Sequence, residues 1–600
     1  METMKKPDDA PRWDLKDLYQ SHEDPKIFTD LEEDKKRALT FAAKYRGTLL
    51  PEIEAGELSE AFVVYEALLQ DSAKPVLYAS LLTSEDAGNA AYQALERRAE
   101  EAHTAIINEL LFFELELLKL TEEKLAMLSR APELAPYAHY LEVLSKRQPH
   151  VLTEPEERLK NDKELVGSVA WSNLFSKRLS TRTFAFKKDG EEKHLSEEEV
   201  LHFLYDHDRE RRALAQESLT SGLKEDSWFL SAVFNVMAQD KTIDDRYRKF
   251  STPEAERHLA NEITQEMVDT MAEVAVESYP IVHDFYRTKR ETLGLDELFD
   301  YDRYAPLAET ASEFTFAEAQ EMVLSAFHKF SPAYAGVAQK FFDNNWIHAA
   351  MQKGKRGGAF CQYVTPDKHP YVLLNFQGRI RDVMTLAHEL GHGIHSYLAG
   401  RKHGYLTFDT PLTMAETASV FGEMLLFDAL KETLTDPKEK FALYAGKIEE
   451  IFATVFRQTA MYRFEKAFHA TRREKGELAP EVINALWRKT QTEMFGDAVT
   501  ITDNYDWWWS YIPHFVHTPF YVYAYAFGEL LVLSLYARYR KEGPEFAEKY
   551  VEMLSAGGSK SPEELIAPFG IDLRERKFWE EGIAVIKELV ETAKKLKEAK

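Results

Sequence analysis

The sequence has almost no cysteine and no long apolar run. Its 600 residues include one cysteine, Cys361, so no intramolecular disulfide bond can form and a reducing compartment is expected. Residues 1–9 contain no apolar stretch of the kind found in secretory signals, which favours a cytoplasmic location. The most apolar late segment, residues 520–537, contains Gly528 and Glu529 and is rich in tyrosine. We interpret it as a buried helix and predict no membrane span.

Basic residues are outnumbered by acidic ones. The chain has 75 Lys and Arg against 101 Asp and Glu, for a formal net charge of −26. This balance argues against nucleic acid or an anionic membrane as a partner, since either would require a basic face. Hydrophobic residues at 44% and charged residues at 29% are typical of a globular protein. A chain of this length usually forms more than one domain or subdomain.

Helical periodicity dominates the sequence and predicts a mainly α fold. Periodic segments lie at 27–45, 58–82, 88–120, 196–222, 226–245, 263–291, 316–342, 440–475, 480–495, 521–542 and 575–599. Two short segments, 359–364 and 371–376, instead read as strands joined by a turn. An exposed strand edge at this place would hold an extended peptide by its main chain. A hairpin that only covers the core is the alternative.

The segment His388-Glu389-Leu390-Gly391-His392 is an H-E-x-x-H motif within a helical pattern. Residues four apart on an α-helix are separated by about 40° around the axis, so both imidazoles point the same way. They can occupy two corners of a zinc tetrahedron. Glu389 flanks the metal without ligating it, which is the place of a general base. Two incidental histidines on an amphipathic helix are the alternative.

The residues around the motif favour a well-packed helix. Apolar residues at 383, 386, 387, 390, 394 and 398 form one stripe. Gly391 and Gly393 each cost about 1 kcal/mol relative to alanine in a helix interior. Their presence predicts that another backbone or a ligand approaches closely there. Gly400 is the predicted C-cap.

A third protein ligand has two candidate sources. The extended pattern H-E-x-x-H-x-x-G-x-x-H would need glycine at 395 and histidine at 398, where the chain has His395 and Leu398. The other source is Glu416, a lone acid among small and apolar residues on a following helix that Thr410 and Pro411 are predicted to begin. A carboxylate in such surroundings is costly unless it is paired or coordinated. We predict Glu416 as the third ligand, with a buried or capping carboxylate as the alternative.

The motif helix followed by residues 414–419 (Met-Ala-Glu-Thr-Ala-Ser) resembles the oligoendopeptidase F branch of the thimet-oligopeptidase-like zinc metallopeptidases. The resemblance covers essentially the whole chain. It also includes residues 13–15, 358–361, 370–378, 512–515 and 519–525.

The resemblance implies a mainly helical, two-lobed, clam-like fold of the neurolysin type. It places a deep substrate cleft between the lobes and a small β-hairpin beside the metal helix. The implied domains are an N-terminal helical region at 1–110, an oligopeptidase F N-terminal-type helical domain at 111–200 and a catalytic zinc metallopeptidase domain at 201–600. One Zn²⁺ per chain and short peptide substrates are expected, and the oligomeric state is left open.

The resemblance also implies roles for the aromatic segment 505–525. His514 best matches the family histidine that binds substrate and the transition state. Tyr525 is the first choice for the oxyanion donor and Tyr521 the second, although aromatic density of this kind is usually core. Glu423 is interpreted either as support for a metal ligand or as a solvated glutamate. The remaining predicted substrate contacts are Gly358, Ala359, Phe360 and Tyr523.

These observations predict a zinc-dependent endopeptidase with Glu389 as general base. A metallocarboxypeptidase on a related scaffold is an alternative, although the sequence shows no obvious arginine that would bind the C-terminal carboxylate of a substrate. A non-catalytic peptide-binding protein would not need Glu389. A purely structural helical protein would leave the set of two histidines and a glutamate unexplained. The ligand types do not distinguish zinc from cobalt or manganese.

Overall fold

A computed structural model describes residues 10–47, 53–307 and 313–598 of the chain. Helices make up most of this part, as the periodicity predicts. No helix among these residues has both the length and the hydropathy that a membrane span requires.

The first half of the chain contains thirteen α-helices among its described residues. They are α1 (Lys26–Tyr45), α2 (Ala55–Glu85), α3 (Ala90–Leu117), α4 (Glu122–Ser129), α5 (Ala138–Arg147), α6 (Glu154–Glu164), α7 (Ser168–Thr181), α8 (Glu197–Phe203), α9 (Arg209–Glu225), α10 (Ser227–Tyr247), α11 (Ala255–Ala260), α12 (Gln265–Glu277) and α13 (Tyr279–Thr292).

The second half adds a further thirteen helices within the described ranges. They are α14 (Phe316–Phe330), α15 (Pro332–Asp343), α16 (Ile380–Gly400), α17 (Leu412–Ala415), α18 (Thr417–Thr433), α19 (Pro437–Phe452), α20 (Gln458–Lys475), α21 (Pro480–Phe495), α22 (His514–His517), α23 (Val522–Glu542), α24 (Pro544–Ser555), α25 (Pro562–Ile566) and α26 (Arg576–Glu598).

Five short strands form two small sheets in the described chain. They are β1 (Phe184–Lys188), β2 (Glu191–Leu195), β3 (Ile347–His348), β4 (Phe360–Gln362) and β5 (Tyr371–Leu373). β1 and β2 form an antiparallel hairpin. The second sheet has the order β3-β5-β4, with β5 parallel to β3 and antiparallel to β4. The predicted pair β4 and β5 is therefore confirmed, whereas β3 and the β1–β2 hairpin were not predicted.

The chain divides into two compact units, each built from three separate stretches. Unit 1 comprises Met1–Pro149, Ala311–Thr433 and Leu535–Asp572. Unit 2 comprises His150–Thr310, Leu434–Ser534 and Leu573–Lys600. Within unit 1 the core includes large buried side chains such as Tyr334 and Tyr371, and within unit 2 it includes Trp487, Trp508 and Trp579. The domain boundaries expected near 110 and 200 stay a prediction.

Several predicted helices are interrupted. Residues 316–342 form two helices because Ser331 caps the second one and Pro332 begins it, where proline lacks the N–H that would continue the first. Residues 440–475 contain a π-helical turn at Ala453–Arg457 between α19 and α20. Helices α4 to α7 lie in a region where the periodicity predicted no helix, although the resemblance implied a helical domain there.

Two predicted helix ends were wrong. Gly400 is the last residue of α16, and the C-cap is Arg401 in right-handed conformation. The N-cap of α17 is Pro411 and not Thr410, so helical backbone begins one residue later than predicted. The helix predicted to run on through Glu416 breaks there, because α17 ends at Ala415 and α18 begins at Thr417. Glu416 therefore lies at a junction between two helices.

Candidate metal centre

The centre is built where α16 and α18 cross in unit 1. A Cβ atom on Gly391 would lie 2.3 Å from the carbonyl oxygen of Ala418 and 2.5 Å from the Cα of Ser419. From the other helix, a Cβ on Gly422 would lie 3.0 Å from the carbonyl oxygen of Ala387. Only glycine permits this approach of the two backbones. The predicted close approach at Gly391 is confirmed, and Gly422 is the matching position that the sequence reading missed.

The crossing brings His388, His392 and Glu416 together as one group of possible metal ligands. The Glu416 Oε2 atom lies 3.5 Å from His388 Nε2 and 3.4 Å from His392 Nε2. Two atoms each about 2.1 Å from a tetrahedral zinc are about 3.4 Å apart. The donor set, two imidazole nitrogens and one carboxylate oxygen, is also one that zinc accepts. The three side chains thus fit a single metal ion.

Each ligand candidate is held by a neighbour. His388 donates its Nδ1–H to Glu423 Oε1, which leaves Nε2 free to face Glu416. The Tyr363 hydroxyl lies 3.4 Å from His392 Nδ1. The hydroxyl of Ser419 donates to Glu416 Oε2 at 2.6 Å. Such outer partners fix the tautomer and orientation of metal ligands.

The electrostatics of this group favour a cation. Burial acts to lower the pKa of His388, but the hydrogen bond to Glu423 and the surrounding carboxylates raise it to about 10. Burial acts to raise the pKa of Glu416, yet its hydrogen bond with His392 and the two imidazoles lower it to about 2. The field that holds a proton on His388 would equally attract a metal cation to that place.

Glu389 shares a cavity with the two histidines. The cavity has a volume of about 740 Å³, and its lining includes His388, His392, Glu389 and Cys361. Glu389 is buried, and this burial raises the pKa of its carboxyl group. A raised pKa suits a carboxylate that must take up a proton during a reaction.

Strand β4 lies at the edge of its sheet and packs against α16. Ala359 and Phe360 line the same cavity as Glu389. Gly358 has a positive φ of 77°, and its carbonyl oxygen accepts a hydrogen bond from the Asn375 amide. Within the described ranges β4 pairs only with β5, so its other edge has no strand partner.

In unit 2, the structure brings together His514, Tyr521 and Tyr525. His514 Nε2 lies 3.3 Å from the Tyr525 hydroxyl. The ring centroids of His514 and Tyr521 are 5.7 Å apart, and those of Tyr521 and Tyr525 are 5.1 Å apart. Burial, and then the charge of Arg457, lower the pKa of His514. Both effects favour the neutral form of this imidazole.

Tyr523 is placed differently from its two neighbours. Its side chain is fully buried, and its hydroxyl lies 2.9 Å from both His258 Nδ1 and Asn261 Nδ2. This position favours a packing role over the predicted contact with substrate.

Two other histidines, His395 and His517, lie outside the group of possible metal ligands. His395 is buried and its burial lowers the pKa to about 3, whereas His517 Nε2 lies 2.9 Å from the Ser176 hydroxyl. Sequence reasoning missed Tyr363, which contacts His392, and Asp409, which lines the cavity. Tyr363 follows Cys361 at the two-residue spacing that puts strand residues on one face, and this signal would have found it.

Comparison with known proteins identifies the family of the chain. Residues 202–585 match the family model described as Peptidase family M3, and residues 116–184 match one described as Oligopeptidase F. The chain is 29% identical over 570 residues to Oligopeptidase PepF of Bacillus subtilis (strain 168), covering 94% of this chain and 83% of that protein. It is 28% identical over 582 residues to Group B oligopeptidase PepB of Streptococcus agalactiae, covering 96% and 95%.

Solved structures share the fold. A Chlamydophila abortus protein is 24% identical, with a TM-score of 0.89 over 98% of both chains. Oligoendopeptidase-F from Enterococcus faecium is 23% identical, with a TM-score of 0.72 over 96% of this chain and 99% of its own. The family match extends over well more than half of the sequence and includes the crossing of α16 and α18. The chain therefore belongs to peptidase family M3, of the oligoendopeptidase F type, and is a metallo-oligopeptidase.

Proposed function

We propose that this chain is a zinc-dependent endopeptidase that hydrolyses internal bonds of short peptides, with Glu389 as general base. The observation that carries the proposal is the group formed by His388, His392 and Glu416, with Glu389 in the cavity beside it. Two imidazoles and one carboxylate are the protein ligands of a catalytic zinc that keeps a position for water.

Bound zinc would polarise the scissile carbonyl and lower the pKa of a water from about 15.7 to about 7. Glu389 accepts a proton from the attacking water as the water oxygen bonds to the carbonyl carbon. The carbon–nitrogen bond then breaks, and Glu389 returns the proton to the departing amine. The hydrogen bond to Glu423 holds the His388 imidazole in one orientation during these steps.

The substrate would lie along β4 as an added strand, with Gly358, Ala359 and Phe360 facing it. Backbone hydrogen bonds along an edge strand read main chain and so accept many sequences. For oxyanion stabilisation we propose Tyr525 first and Tyr521 second, with His514 as their partner. Their mutual contacts and the family resemblance support this assignment.

The test uses a quenched-fluorescent octapeptide blocked at both ends, assayed with and without a chelator and with zinc added back. We expect internal cleavage that chelation abolishes and zinc restores. Release of residues only from an unblocked peptide would instead indicate a carboxypeptidase. No hydrolysis of either peptide by the zinc-loaded protein would contradict the proposal.

Metal content gives an independent readout. The variants His388→Ala and Glu416→Ala should purify with much less zinc than the wild-type protein. His328→Ala, which changes an exposed histidine on α14, is the matched control. If either variant keeps its full zinc content, the substituted residue is not a metal ligand.

A further inference from the structure

The cavity that contains Glu389 extends beyond the residues that hydrolysis requires. Its wall includes Tyr405, Phe408 and Asp409 from the segment between α16 and α17. The rings of Tyr405 and Phe408 lie 5.8 Å apart and form an aromatic surface. Leu77 of α2 adds a further apolar contact. Peptide hydrolysis as derived above uses none of these four side chains.

Asp409 carries a negative charge that no other side chain balances within the described chain. Its carboxylate accepts the backbone N–H of Thr410 at 2.9 Å, and no Lys, Arg or His of the described residues forms an ion pair with it. Asp409 is exposed at the cavity wall, but the protein atoms packed around its carboxylate take away part of its hydration, and this desolvation raises its pKa. A carboxylate in such surroundings gains more from a cationic partner than one in open water does.

The segment that presents Asp409 is fixed at two points. Glu66 of α2 accepts the backbone N–H of Leu406 at 2.9 Å, and Gly558 donates its N–H to the Thr407 carbonyl at 2.9 Å. A Cβ atom on Gly404 would lie 2.3 Å from the Glu66 carboxylate, so the contact is close. Asp409 is therefore held at a defined position in the cavity wall.

Apart from His388 and His392, the charged side chains that line the cavity in the described chain are acidic. The described residues that line it include the carboxylates of Glu389 and Asp409 but neither lysine nor arginine. Asp409 lines the same cavity as His388 and His392 of the candidate metal group. A ligand beside the metal group thus meets the negative charge of Asp409.

Resting on the proposed function, we propose that Asp409, Tyr405 and Phe408 form a subsite for a positively charged group of the peptide next to the scissile bond. The aromatic rings would cover the aliphatic stem of an arginine or lysine, and the carboxylate would accept hydrogen bonds from its cationic end. The terminal ammonium of a short peptide offers the same chemistry.

The test compares three octapeptides that differ in the residue beside the cleaved bond or in whether the N-terminus is blocked. One carries arginine and is blocked at both ends, the second carries the neutral isostere citrulline and is also blocked, and the third carries citrulline with a free N-terminus. Cleavage of the blocked citrulline peptide by the wild-type protein tests the proposed endopeptidase activity independently of the subsite, because this peptide carries no cationic group beside the cleaved bond.

We expect the wild-type kcat/KM to be about tenfold higher for the arginine peptide than for its citrulline counterpart, the value of one charge-assisted hydrogen bond. Asp409→Asn, which keeps the acceptor for Thr410, should bring this ratio to about one. Asp409→Lys should reverse the preference, so that the blocked citrulline peptide is cleaved faster than the arginine peptide. Asp436→Asn is the matched control, since Asp436 is exposed and accepts the Lys438 N–H at 2.9 Å in the same way.

A gain confined to the peptide with a free N-terminus, and lost in Asp409→Asn, would assign the subsite to the terminal ammonium. Zinc-dependent cleavage with an arginine-to-citrulline ratio that neither Asp409 variant changes would overturn the subsite and leave the proposed function intact. Absence of any zinc-dependent cleavage would overturn both.

Discussion

His388 donates its Nδ1–H to the carboxylate of Glu423 across the crossing of α16 and α18. The two residues are 35 positions apart in the chain, and the crossing that joins them depends on Gly391 and Gly422. The hydrogen bond fixes the tautomer of His388 so that Nε2 faces Glu416. It also makes the imidazole a stronger metal ligand, because the carboxylate offsets positive charge on the ring.

Removal of the Glu423 carboxylate is expected to weaken metal binding. Glu423→Ala should raise the zinc dissociation constant about 10- to 100-fold, the usual effect of losing such a partner. Competition with a chromogenic chelator measures this constant. Glu432→Ala, at an exposed position on the same helix, should leave it unchanged. Wild-type affinity in Glu423→Ala would show that His388 is oriented by other contacts.

Glu389→Gln tests the proposed general base separately from the proposed metal ligands. The variant should keep one zinc per chain and lose about 10²- to 10⁴-fold in kcat, because the amide cannot accept the proton of the attacking water. Metal analysis and the blocked octapeptide assay give the two readouts. Glu548→Gln, on the exposed face of α24, is the control. Turnover at the wild-type rate would exclude Glu389 as the base.

Gly391→Ala should destabilise unit 1. The added methyl group would overlap the backbone of Ala418 and Ser419, and we expect at least about 2 kcal/mol lower free energy of unfolding, together with weaker zinc binding. In contrast, a Cβ atom on Gly336 in α15 would meet no described atom within 4 Å. Gly336→Ala should stabilise the protein by about 0.4–1 kcal/mol. Calorimetry on both variants tests this difference in sign.

Tyr525→Phe tests the oxyanion donor. Loss of one such hydrogen bond should lower kcat about 100-fold with little change in KM, since the bond strengthens only in the transition state. Tyr247→Phe, which removes an exposed hydroxyl from unit 2, is the control. If Tyr521→Phe gives the larger loss, the two tyrosines exchange roles. Unchanged kcat in both variants would show that neither tyrosine stabilises the oxyanion.

Tyr523→Phe should act on stability. Its hydroxyl is buried between His258 and Asn261, so its removal takes away two buried hydrogen bonds, at a cost of about 1–3 kcal/mol in the free energy of unfolding. Thermal denaturation measures this loss. A raised KM with unchanged melting temperature would instead support the substrate contact predicted from sequence.

Local spacing was enough to predict most of the long helices and half of the candidate site. The i, i+4 relation of His388 and His392 follows from the geometry of a single helix, and α16 formed where the apolar period predicted it. The strands β4 and β5 were also predicted from their own residues. Glu416 was identified because an isolated carboxylate among apolar residues needs a partner. The sequence was thus enough to predict the three residues that the structure groups as possible metal ligands.

Only the tertiary structure decided how those residues meet. The break at Glu416, the third strand β3 and the contact of Tyr363 with His392 depend on elements far apart in the chain. The placement of Asp409 depends likewise on Glu66 and Gly558, which lie hundreds of residues from each other. Periodicity reports the surroundings of a residue within one element, whereas contacts between elements depend on how their surfaces pack.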